Sequence, residues 1–271
     1  MPMWVRKTSA DRRYKEIKIP PVQVLYNTCK GVFENFGPGI VPGPENIERL
    51  KAAMDGMTGA DVGLRPGMQF FRRFPVITYI RIHECDKFSI GLFCLPQSAV
   101  IPLHNHPEMT VLSKLLFGTI NVNSFEWVNA DPPNKGGIFS AVPLRGTNSP
   151  RLGSDFKPAG VPRLAKTKAE YEVSAPCKTS VLYPADRGNL HTVRALTPCA
   201  FLEVVAPPCS VSRGWPCTYY RKYHFSTLSA VGMISVPEEQ RPGYVWLQET
   251  EKGDVSLVYK DEYTGPCIVT E

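Results

Sequence analysis

From about residue 75 onward the chain breaks into short runs rich in β-branched and aromatic residues, punctuated by Gly and Pro and never separated by a run of helical period. These runs fall at residues 76–84, 89–95, 110–117, 119–128, 179–183, 191–196 and 199–206, with closing candidates at 231–236, 243–249 and 255–260. Without helices to cover its faces, such a series stacks into a sandwich or curls into a barrel. The expected fold is therefore all-β. Helical period is confined to the N-terminal part. Val22, Leu25, Cys29, Val32 and Phe33 follow a pair of prolines, and a second short helix is expected from Pro44 through Leu50 to Met54. Glu45 and Glu48 lie in its first turn, where they favour the helix dipole.

A length of 271 residues admits one large β domain or two smaller ones. No sharp boundary separates the helices from the strands, so one domain is expected over 21–271, with 21–70 as its helical N-terminal part. Residues 1–20 carry Arg6, Lys7, Arg12, Arg13, Lys15 and Lys18 against Asp11 and Glu16. Such a basic stretch can touch nucleic acid, but a solvated, disordered arm accounts for it more simply, and no direct nucleic-acid binding is expected. Residues 129–162, rich in Pro, Gly, Ser and Asn, read as a mobile surface loop. A hydrophobic share of 43% suffices for a core, and no apolar run approaches the ~18 residues of a membrane span. The N-terminus lacks the apolar region of a signal peptide, so the expected location is cytoplasm and nucleus. Eight cysteines, none in a Cys-x-x-Cys pair, then read as reduced thiols, not a disulfide framework.

Chemistry concentrates in Ile101-Pro-Leu-His104-Asn-His106-Pro. Two positions apart on a strand, His104 and His106 project to one face, where both rings can reach one metal ion. Imidazole suits Fe, Zn, Cu and Ni, and a third ligand must come from elsewhere. His191 is the best candidate: it follows the turn-like run Asp186-Arg187-Gly188-Asn189, and Val193 and Ala195 share its face. The competing reading makes all three structural core histidines.

Glu203 stands in Phe201-Leu-Glu203-Val-Val205 with apolar neighbours on both faces. It is either a buried carboxylate, able to orient a substrate amine or a metal-bound water, or a strand glutamate in a surface ion pair. Glu108 would share the histidine face if the strand ran on through Pro107, but proline argues for an exposed rim position. His83 and His224 have no partner at ligand spacing and read as structural. Cys217 and Tyr219 are two apart on one strand face and read as packing. Lys114, Arg194 and Arg213 can supply positive charge to a peptide or simply face solvent.

The blocks Phe93-Cys-Leu-Pro-Gln-Ser-Ala-Val-Ile-Pro-Leu-His104-Asn-His106-Pro, Thr110-Val-Leu-Ser-Lys-Leu-Leu-Phe-Gly118, Leu182-Tyr-Pro-Ala-Asp-Arg-Gly-Asn-Leu-His191, Ala206-Pro-Pro208 and Cys217-Thr-Tyr-Tyr220 closely resemble the plant cysteine oxidases and their animal relatives, the cysteamine dioxygenases. The likeness runs from about Pro21 nearly to the C-terminus. It implies a cupin, a double-stranded β-helix of jelly-roll type, holding non-haem Fe(II) by His104, His106 and His191. It also implies O2 as co-substrate, conversion of a protein's N-terminal cysteine to the sulfinic acid, and a role as an oxygen sensor that marks transcription factors for destruction in hypoxia. A monomer is expected. The chain departs from the family pattern at Arg187, where a glycine is usual, at Glu108 (usually Gly), at Glu203 (usually Asp) and at Cys209 (usually Tyr). Those departures keep two rivals open: another metal-dependent cupin, such as a zinc isomerase or hydrolase, and a non-catalytic ligand-binding cupin.

Overall fold

The structure is a computed structural model that describes residues 19–65, 68, 76–128, 141–142, 161–184, 189–210, 217–227, 229–230, 236–250 and 258–270. The expected tail at 1–20 and loop at 129–162 lie almost wholly outside the described residues, as do Arg187 and Arg213.

Helix α1 (Pro21–Phe33) and helix α2 (Pro44–Asp55) each begin with proline in the first turn, where its missing N–H costs nothing. Among the described residues fourteen strands follow: β1 (Ile77–Glu84), β2 (Ser89–Leu95), β3 (Val100–Asn105), β4 (Thr110–Phe117), β5 (Thr119–Trp127), β6 (Ala141–Val142), β7 (Arg163–Ser174), β8 (Ser180–Leu182), β9 (Leu190–Ala195), β10 (Cys199–Ala206), β11 (Thr218–His224), β12 (Ser229–Ala230), β13 (Tyr244–Thr250) and β14 (Val258–Asp261). One sheet has the order β14-β1-β2-β10-β4-β8, and a second, β11-β13-β7-β5-β9-β3, closes on itself where β3 pairs with β11. β6 and β12 pair separately. The expected all-β architecture is the one observed.

The sequence reading missed β7 and gave β11 no extent beyond placing Cys217 and Tyr219 on a strand, and residues 231–235 of one expected strand lie outside the described set. In β7, Lys166, Lys168, Glu170 and Glu172 alternate with Thr167, Ala169, Tyr171 and Val173, but the second set is itself only half-buried or exposed. Its alternation is therefore faint.

The first sheet has two apolar faces. Its outer face, with Ile80, Ile90, Leu92, Leu112, Leu202 and Val204, packs against Val22, Leu25, Cys29 and Phe33 of α1 and Leu50 and Met54 of α2. Full burial of a side chain such as Leu25 contributes about 1.5–3 kcal/mol, which is why the N-terminal helices share the sheet's core. The inner face supplies Ile77, Leu95, Leu115 and Phe201, which meet Ile120, Val193 and Ala195 of the second sheet. A functional site between the sheets is thus walled by β10, β4 and β1 on one side and β3, β9 and β11 on the other.

Gly118 makes the reversal from β4 to β5. Its φ is +86°, and a Cβ there would come within 2.5 Å of Cys199 Cβ and the Pro198 carbonyl oxygen. Only glycine meets both demands.

Candidate metal centre

The β3–β9–β11 wall brings His104, His106 and His191 together, all buried, with one nitrogen of each within 4.8 Å of the others. His104 pairs directly with His191 across β3 and β9, and a register shift between Ile101 and His104 turns the strand so that its ring enters the interior. His191 shares its face with the buried Val193 and Ala195, as the alternation predicts. His106 departs from the expected regular strand, because β3 ends at Asn105. Asn189 holds it instead: the His106 N–H donates to Asn189 Oδ1 at 2.9 Å, and Asn189 Nδ2 donates to the His106 carbonyl at 2.8 Å. A side-chain amide here completes the ladder that the strand abandons.

Hydrogen bonds fix the tautomers. Carbonyl oxygens only accept, so His104 Nδ1 donates to Pro102 O at 2.8 Å and His191 Nδ1 donates to Asn189 O at 2.9 Å. Both rings therefore keep a free lone pair on Nε2. His106 Nδ1 instead lies 3.4 Å from Cys217 Sγ, a group that can accept or donate, so this contact orients the ring without fixing its tautomer. Burial pushes all three imidazoles towards the neutral form. It holds His104 down to about 3, helped by His191 nearby, lowers His106 well below its ordinary value, and lowers His191 as well.

Neutral imidazoles with outward-bonded Nδ1 atoms form a metal-ready donor set. The His104 and His106 Nε2 atoms lie 3.0 Å apart. Two nitrogens about 2.1 Å from one ion and at right angles to it would stand roughly 3.0 Å from each other. The donor set fits a divalent ion with open positions on the side away from the strands.

Those positions face the first sheet. Glu203 projects from β10 on the same face as Phe201 and Val205, between Gly91 of β2 and Ser113 of β4. Ser113 Oγ donates to Glu203 Oε1 at 3.1 Å. The carboxyl is pushed up to about 7 by burial, against which the Ser113 bond acts. Glu203 is half-buried on that face, and the partner its Oε1 takes is a hydroxyl, not a cation. Tyr79 comes from β1 across Gly91, where any Cβ would stand 2.5 Å from its ring and hydroxyl. Its phenol is raised by burial and then by Glu203, and that of Tyr219 is pushed up to about 12 by burial and then by Cys217, Cys209 and Glu203. The Tyr219 ring also lies 5.8 Å from that of His104, so it links the carboxylate wall to the histidine wall.

The other candidates fall elsewhere. Glu108 is exposed, at φ +60°, and outside the three-histidine group. His83 packs edge-on against Tyr26 at 4.8 Å, and His224 is exposed with Nδ1 2.8 Å from Ser226 Oγ. Lys114 neither faces solvent nor offers charge to a ligand. It is buried, and its ammonium donates to the Cys177 carbonyl. Arg194 is exposed on the face of β9 opposite His191. Sequence reasoning missed Asn189, Ser113 and Tyr79. Asn189 had a signal, lying two residues before His191, whereas Ser113 and Tyr79 enter only through the pairing of distant strands.

A closed β-barrel that gathers three neutral histidines opposite a carboxylate defines a protein built to bind a metal ion. The family model PCO_ADO matches residues 53–268, and the chain belongs to that family, the thiol dioxygenases. It is 46% identical over 263 residues to plant cysteine oxidase 2 of Arabidopsis thaliana, covering 95% of this chain and 86% of that one. It is 32% identical over 233 residues to the human 2-aminoethanethiol dioxygenase, covering 83% and 82%. Among solved structures, KdgF from Halomonas sp. aligns over 50% of this chain and 83% of its own at 13% identity and a TM-score of 0.30.

Proposed function

We propose that this chain is a non-haem Fe(II) dioxygenase that converts the N-terminal cysteine of a protein substrate to cysteine sulfinic acid with O2. The observation that carries the reading is the buried cluster of neutral His104, His106 and His191 facing Glu203 across the barrel. Those three residues would hold the iron. Bound there, the metal supplies a Lewis acid that lowers a thiol's pKa and a place where O2 and sulfur meet. The chain's own residues do the rest. Glu203, poised near neutrality, accepts a proton from the arriving cysteine or pairs with its α-ammonium, and Ser113 keeps that carboxylate aimed inward. The apolar side chains between the sheets exclude bulk water, so the reactants meet as neighbours.

This chemistry makes an enzyme whose rate follows oxygen supply, and its substrates would be regulatory proteins such as transcription factors, marked for destruction in air and spared in hypoxia. The chain would work as a monomer in cytoplasm and nucleus, without binding nucleic acid or membrane.

A peptide with a free N-terminal Cys should consume O2 and gain the mass of two oxygen atoms. Its N-acetylated twin should react far more slowly, because acetylation removes the amine's charge and its ability to bind metal. Equal rates would exclude N-terminal specificity, and iron-independent turnover would point to a different cupin chemistry.

A further inference from the structure

Beside the thiol that supports His106 lies a second one. The Cys217 N–H donates to Cys209 Sγ at 3.0 Å, while Cys217 Sγ lies 3.4 Å from His106 Nδ1. Cys209 is exposed and Cys217 half-buried, so an oxidant from solvent meets Cys209 first. We propose that Cys209 and Cys217 are a modification site for hydroperoxides, which join them in a disulfide that withdraws the Cys217 sulfur from His106.

The geometry already brings the two residues together. The Cys209 sulfur rests on the amide nitrogen of Cys217, the atom bonded to that residue's Cα. A disulfide requires rotation about the Cys217 Cα–Cβ bond, the movement that takes its sulfur off His106, to carry that sulfur towards Cys209. A disulfide tolerates only a narrow range of Cα separations, and two residues already in main-chain-to-sulfur contact need little backbone adjustment to enter it. The thiols are 8 positions apart, so closing the ring between them costs little chain entropy.

The step balances. The Cys209 thiolate attacks the peroxide, a S–O bond forms, the O–O bond breaks, and the alcohol (or water, from hydrogen peroxide) leaves with a proton. Cys217 then attacks that sulfenic sulfur, the S–S bond forms, and the oxygen leaves as water carrying the second proton. Two thiols are oxidised by two electrons, and one hydroperoxide is reduced.

The consequence for the site follows from the hydrogen bonds of the three rings. His104 and His191 are oriented by carbonyls that the disulfide does not touch, whereas His106 has the Cys217 sulfur. Losing that partner frees one imidazole to turn, and loss of a ligand's outer partner typically costs 10–100-fold in metal affinity or activity. Only this effect on rate rests on the dioxygenase reading. Formation of the disulfide does not.

The test treats the purified iron-loaded protein with a few equivalents of hydroperoxide, alkylates the remaining thiols and digests with trypsin. Cleavage after Arg213 puts the two cysteines on separate peptides. The expected product is a Cys209–Cys217 linked pair that dithiothreitol separates. Both thiols recovered alkylated, or only irreversible sulfinic and sulfonic forms, would overturn the proposal whatever the enzyme does. In the rate arm, with the peroxide removed and fresh Fe(II) loaded without oxygen or thiol after the exposure, activity on the Cys-initiated peptide should fall about tenfold in proportion to the linked fraction and return with dithiothreitol. The Cys209→Ser protein should keep its own untreated rate after the same exposure. A linked but fully active protein would remove the control of His106, and a protein without dioxygenase activity before treatment would fail the functional reading while leaving the peptide map to decide the disulfide.

Discussion

Glu203 and the three histidines respond to one burial in opposite senses, the acid losing its charge to a proton kept and the bases to a proton shed. With its carboxyl at about 7, Glu203 is half ionised at neutral pH. If it takes the substrate's proton, turnover should rise through a limb near pH 7, and Glu203→Gln should lose both that limb and most of the rate while keeping its iron. Glu203→Asp tests position. The chain carries one methylene more than the aspartate usual in the resembled family, and a carboxylate displaced by about 1 Å can cost on the order of 10²-fold. The shorter acid is therefore expected to raise turnover on a Cys-initiated peptide. Stopped or steady-state assays at saturating oxygen and matched iron decide it: unchanged rates in both variants would take Glu203 out of the reaction. The Gln variant should also gain thermal stability over wild type as pH rises from 5 to 8, since the folded state resists ionising a carboxyl that the unfolded chain ionises freely.

At the scale of elements, the centre depends on how β3 ends. Asn189 replaces the missing ladder with one bond accepted and one given, both to the main chain of His106. Asn189→Ala leaves two buried main-chain groups unpaired, at ~1–3 kcal/mol each, so the metal-free protein should melt well below wild type and hold iron more weakly. Asn189→Asp keeps the accepted bond and loses the donated one, so its melting temperature should fall between the two; a variant as stable as wild type would make the amide dispensable. This element also marks how far the sequence could be read. The alternation of His191, Val193 and Ala195, and the spacing of His104 and His106, encode the histidine wall locally, so it was legible. The opposite wall was legible only at Glu203, where apolar neighbours on both sides flag burial. Ser113 and Tyr79 face Glu203 through strand pairs far apart in sequence, which no local pattern reveals. β7 escaped for a different reason: its charged side alternates with residues that are only half-buried, so burial never sharpened the signal.

The whole molecule spends stability on keeping its imidazoles dry. In the unfolded chain a histidine takes a proton near 6.5, while in the fold His104 waits until about 3 and the other two are lowered by the same burial. Below 6.5 the unfolded state thus binds more protons than the folded one, and the metal-free protein must lose stability as pH falls from 6.5 towards 3. Glu203 works the other way, since the fold holds a proton there up to about 7, but one carboxyl opposes three imidazoles, and the histidines decide the sign below 6.5. Metal binds the same neutral Nε2 atoms and has little affinity for the unfolded chain, so it adds stability, and because burial already keeps those rings unprotonated, protons compete for them only as pH approaches the lowered folded values. Melting curves of metal-free and iron-loaded protein between pH 5 and 7.5, run without oxygen, should therefore show two trends: both midpoints fall together with pH, and the gap between the curves stays nearly constant. A metal-free midpoint that stays level or rises on acidification would mean that the three rings are not held neutral by burial. A gap that closes by pH 5 would mean that the metal's ligands take up protons there, and so are not rings that the fold keeps neutral.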